Sequence, residues 1–84
     1  MSNLFTILND IGKSLHEKGR HNIARSYKNL VFNKEDQKDC PEVWAAVVIG
    51  YIKCLTDFKM IDEPTYDEVY AEIIKFVQRG GKSE

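Results

Sequence analysis

Residues 41–60, PEVWAAVVIGYIKCLTDFKM, form the longest apolar segment of the 84-residue chain. Trp44, Val47, Val48, Tyr51, Ile52 and Leu55 recur at steps of three and four, the spacing that stacks side chains on one face of a helix. Strands are typically five or six residues long, roughly a quarter of this stretch. Pro41 suits a first helical turn, where no N–H is needed, and Glu42 lies where the helix dipole favours negative charge. Val43, Ala45, Ala46 and Ile49 widen the apolar stripe to nearly every side. A helix apolar all round belongs at the centre of a bundle or in a membrane. The uninterrupted run from Val43 to Ile52 is about half of the roughly 20 residues a span needs. The spacing therefore predicts a buried central helix over 41–60, with Cys54 as a small packed residue in its last half.

The flanking segments also read as helices. Leu4, Leu8, Ile11 and Leu15 recur at four, three and four. This predicts a first helix capped by Ser2 or Asn3 and stopped at Lys18–Gly19, a cation followed by a residue free to turn left-handed. Ile23, Tyr27, Leu30 and Val31 predict a second helix over 20–32, with Ala24 set against Gly12 across a short turn. Residues 33–39, NKEDQKD, are strongly polar and read as a linker. Two starts fit the last helix. One uses Asp62 as cap with Pro64 in the first turn; the other uses Thr65 and Glu68 as a capping box. Tyr66, Val69, Tyr70, Ile73, Ile74 and Val77 carry that helix to a stop at Arg79–Gly81, with Phe76 off its main face and 80–84 frayed. No stretch alternates with period two. The expected fold is all-α: one domain over 1–84, a four-helix bundle of two antiparallel hairpins around the helix 41–60.

Leu8, Ile11, Gly12, Leu15, Gly19 and Ala24 fall where a tetratricopeptide-type helical hairpin carries its large, leucine, glycine, large, glycine and alanine positions. Residues 8–31 thus resemble one such hairpin. The chain departs from the pattern at Lys28, where the second-helix aromatic belongs; Tyr27 stands one place early. No second copy follows, and solenoids need about three. The resemblance implies shared packing geometry, not a peptide-binding groove.

Hydrophobic content of 43%, charged content of 30% and a net charge of −1 are those of an ordinary globular domain. They single out neither a nucleic-acid binder nor a membrane-surface binder. No export signal is read at the start of the chain. Cys40 and Cys54 are too few for a disulfide framework, so both are expected reduced and the protein cytoplasmic.

No catalytic constellation emerges, and a non-enzymatic role without cofactor is expected. His16 and His21 flank the Gly19 turn, but no cysteine pair at short spacing joins them, and they read as exposed polar residues rather than zinc ligands. Cys40 precedes a helix N-terminus, where thiolates are favoured, yet capping is the ordinary role there. Gly80–Gly81 follows a helix rather than opening one, so it is no phosphate loop.

Charge is unevenly distributed. Residues 1–33 carry an excess of +3 and residues 34–84 of −4. The basic half offers Lys13, Lys18, Arg20, Arg25 and Lys28 as phosphate contacts. The acidic half offers Asp57, Asp62, Glu63, Asp67, Glu68 and Glu72, interleaved with Tyr66 and near Phe76. Carboxylates around aromatic anchors suit a basic protein surface, because charge steers the encounter and the rings hold it. In size, charge and helical content the chain resembles small bacterial immunity proteins. That resemblance implies neutralisation of a basic toxin, such as a nuclease, through the acidic face. A small regulator touching nucleic acid through the basic hairpin is the alternative, and a self-associating module forming a homodimer is the third reading.

Overall fold

A computed structural model describes residues 4–81 of the chain. Among them there are five helices and no strand: α1 (Leu4–Glu17), α2 (His21–Val31), α3 (Lys34–Asp39), α4 (Pro41–Asp57) and α5 (Glu63–Gln78). Ser2 and Asn3, the expected caps of α1, and the frayed tail from 82 onward lie outside the described residues.

The four long helices pack pairwise, α1 on α2, α2 on α4, α4 on α5 and α5 on α1. Contacts fix each direction. Phe5 meets Phe32 at one end of the α1–α2 pair, and His16 meets His21 at the other. Trp44 meets Phe76, and Lys53 lies over the Tyr66 ring, so α4 and α5 are also antiparallel. Leu8, Leu15, Tyr27, Val31, Val48, Ile52, Val69 and Ile73 are fully buried between them.

The structure corrects the sequence reading of residues 41–60 in two ways. The helix ends at Asp57, and it is not an axle. Only the face with Trp44, Ala45, Val48, Ile52, Leu55 and Thr56 is buried. Val43 is 62% and Val47 45% exposed, and Cys54 is exposed as well. A helix needs only about a third of its circumference to reach a core, and here α2 and α5 cover no more than that side.

Polar residues 33–39 are likewise not a linker throughout. Asn33 caps α3, its side chain accepting from the Asp36 N–H at 3.2 Å. The short helix brings Gln37 to the end of α2, where its amide donates to the Val31 carbonyl at 2.8 Å. The Trp44 indole N–H donates to the same oxygen at 2.9 Å. A last-turn carbonyl, left unserved by its own helix, is thereby satisfied twice.

Three helices end alike. The Arg20 N–H reaches back to Leu15 O and the Gly19 N–H to His16 O; the same pairs join Met60 to Leu55 with Lys59 to Thr56, and Gly81 to Phe76 with Gly80 to Val77. This double bond pattern requires a left-handed residue after the helix. Gly19 and Gly80 supply it without strain, but at the end of α4 it is Lys59, with φ of 64°. A side chain in that region costs roughly 1–2 kcal/mol. Lys59→Gly is therefore expected to stabilise the protein by about 1 kcal/mol, read as a rise of several degrees in Tm. A lower Tm would mean that the lysine side chain contributes more than its backbone costs. Gly81 has its own reason: a Cβ there would lie 2.7 Å from the Gln37 carbonyl and 3.0 Å from Pro41, because the turn after α5 runs against the junction of α3 and α4.

The α5 start settles on the first of the two alternatives. Asp62 caps it, its carboxylate accepting from the Thr65 N–H at 3.0 Å. The bonds from Thr65 hold the Asp62 carboxyl below the ordinary carboxylate range. Ile61 packs into the turn before it. Gly12 does not meet Ala24 as expected; the Tyr27 ring lies over it, 3.5 Å from where a Cβ would be.

Candidate functional site

The eight acidic-half residues do not form one face. At 100° per residue, Glu63 and Asp67 share the rim of α5 beside α4, in a row continued by Tyr70 and Ile74. Both carboxylates are exposed and have no ion-pair partner among the described residues. Glu68 instead lines an open groove of about 310 Å³ between α1 and α5, together with Asp10, Lys18, Asp62 and Thr65. Asp62 is committed to capping, and Glu72 pairs with Lys75 at 3.2 Å. Asp57 sits on α4 and pairs with Lys53 at 3.3 Å. Tyr66 is half-buried, its ring 6.2 Å from Tyr70. Phe76 is 3% exposed, meets Phe5 edge-on at 5.5 Å and belongs to the core, so it offers no anchor to a partner. Its register with Ile73 and Val69, three and seven residues back, is the signal for that role.

Sequence reading missed a more coherent surface. Val43, Val47, Gly50 and Cys54 follow one another at steps of four, three and four along the outer side of α4, and all are exposed. Phe58, 70% exposed, extends the row at the helix end. From Val43 to Phe58 the row is about 22 Å long at 1.5 Å per residue. Tyr70 and Ile74 are also exposed, on α5. At 100° per residue the row lies on the Tyr51 side of α4, toward α2, and Lys53 and Asp57, paired with each other, stand between it and α5. The outcome is an apolar strip along α4, with the exposed Glu63 and Asp67 separate from it on α5.

The basic residues lie elsewhere. Lys13, Arg20, Arg25 and Lys28 are exposed on α1, α2 and the turn between them. Lys18 is tied down, its ammonium donating to the Met60 carbonyl at 2.7 Å and fastening the end of α1 to the α4–α5 turn. Across that hairpin turn His16 and His21, far from any cysteine in sequence, bring their Nδ1 atoms to 2.9 Å.

No described helix is long and apolar enough to cross a membrane, and no group of three or more metal-binding side chains occurs among the described residues. Comparisons with protein-family models, curated proteins and solved structures found no match.

Proposed function

We propose that this protein is a non-catalytic protein-binding module built on a four-helix bundle of two antiparallel hairpins. It docks a basic partner on the uncovered side of α4, in the manner of an immunity protein neutralising a basic toxin or enzyme. The observation that carries this reading is the uncovered row Val43–Val47–Gly50–Cys54–Phe58, which folding does not require. Contiguous apolar surface rimmed by polar groups is the usual mark of a docking face. Glu63 and Asp67 on α5, exposed and without ion-pair partners among the described residues, favour the approach of a basic partner over an acidic one. Tyr70, exposed on α5, offers a ring with a polar tip.

The test is a titration of isotope-labelled protein with a candidate basic toxin such as a nuclease, followed by NMR. Resonances of Val43, Val47 and Phe58 are expected to move. Val47→Asp is expected to weaken binding at least tenfold, about 1.4 kcal/mol, with Tm essentially unchanged, since the residue faces solvent. Equal affinity in that variant would remove the reading. A second reading is favoured by Lys13, Arg25 and Lys28, exposed and without ion-pair partners among the described residues. It expects salt-dependent binding of an RNA or DNA oligonucleotide that Arg25→Glu abolishes. Self-association through the α4 row is the third outcome, recognised by a concentration-dependent mass in light scattering.

A further inference from the structure

We infer that His16 and His21 form a two-histidine site for a divalent transition-metal ion of square or octahedral preference, copper(II) or nickel(II) in class, which staples the α1–α2 turn. The two rings come from different helices, and the Gly19 turn folds them together with centroids 5.2 Å apart and Nδ1 atoms 2.9 Å apart. In that contact one Nδ1 carries the hydrogen and the other accepts it. An ion placed between them at metal–nitrogen distances of about 2.05 Å would be held at a nitrogen–metal–nitrogen angle of about 90°. That is the adjacent-ligand angle of tetragonal copper and nickel sites; a tetrahedral zinc ion would need the nitrogens a few tenths of an ångström further apart. Metal binding asks that the donating ring move its proton from Nδ1 to Nε2 through solvent and that the two exposed rings turn so that their lone pairs leave the N···N line and converge. Both lone pairs then face the ion, and a neutral pair releases no net proton. Both rings are exposed, so the ion has an entry path and water for its remaining positions. Glu17 follows His16 directly and adds negative charge at the turn, while Lys18 on the same side is engaged with the Met60 carbonyl.

Nickel(II) alone is the probe, by isothermal calorimetry on the full chain, with thermal melting as a second readout. One ion per chain is expected, with a rise in Tm on saturation because the ion crosslinks the hairpin. His16→Ala and His21→Ala should each bind at least tenfold more weakly and lose the Tm rise, while melting without metal as the parent does. The Cys40→Ser, Cys54→Ser double variant should bind as the parent, which separates the histidines from the two exposed thiols. Either single-histidine variant binding as tightly as the parent, or the thiol variant losing the ion, would overturn the assignment. A copper(II) titration followed by electron paramagnetic resonance should show two coordinated imidazole nitrogens in the parent and one in each histidine variant.

Discussion

Trp44→Ala is expected to cost about 3–5 kcal/mol, the range for removing a large buried aromatic. Its ring is 2% exposed and lies 5.1 Å from Phe76 and 6.1 Å from Phe5, centroid to centroid. The cavity would therefore open where α1, α4 and α5 meet. Its N–H also serves the Val31 carbonyl, so truncation leaves Gln37 as the only side chain on that oxygen. Small domains are stable by about 0.05–0.15 kcal/mol per residue, so a loss of this size consumes much or all of the total. Trp44→Phe separates the two contributions. It keeps most of the ring and gives up one hydrogen bond and some volume, for a cost nearer 1–2 kcal/mol. Urea unfolding followed by circular dichroism is the appropriate measurement, because the chain's single tryptophan is the residue replaced. A Trp44→Ala variant melting like the parent would contradict the burial on which the packing account depends.

Tyr27→Ala should be comparably severe, again about 3–5 kcal/mol. The side chain is fully buried, covers Gly12 and donates its hydroxyl to the Leu8 carbonyl at 2.6 Å. It is the main fastening between α1 and α2. Tyr27→Phe is expected to lose only about 1–1.5 kcal/mol, since the Leu8 carbonyl keeps its place in the helical ladder. The pair also makes a pH prediction. Burial raises the Tyr27 pKa well above that of a free phenol. The folded state thus favours the neutral ring, so its contribution is intact below the unfolded tyrosine pKa of about 10 and is lost as pH rises from there toward the folded value. Alkaline unfolding should accordingly begin at lower pH in the parent than Tyr27→Phe, once their neutral-pH stabilities are matched by urea. Identical alkaline limbs would mean that the phenol is not held neutral by the fold.

Helix content and most of the core were legible from spacing. Leu4, Leu8, Ile11 and Leu15 are all buried, as their four-three-four recurrence implies, and the left-handed stop at Gly19 lies where glycine after lysine indicated. What periodicity could not supply was the orientation of α4. When apolar residues occur at nearly every position, no phase stands out, and Val47 and Val43 look as fit for the interior as Val48. Their exposure follows from how many neighbours the chain has available to cover the helix, which is a tertiary quantity. The α3 helix was missed for the opposite reason: it has no buried residue at all, and its only local marks are Asn33 as cap and Glu35 and Asp36 in its first turn. The division of the carboxylates was readable in part, since Glu63 and Asp67 share one face of a helix and Glu68 and Glu72 another. Which of the two faces meets α1 was not.

Cys40 and Cys54 give the protein two natural handles on one rigid rod. They are separated by about 21 Å along α4, one just before its first turn and the other on its uncovered side near the far end. A small alkylating dye reaches both in the free protein. Whatever settles on the strip shields the second thiol and spares the first, so the unmodified sequence already contains a reporter and its internal reference.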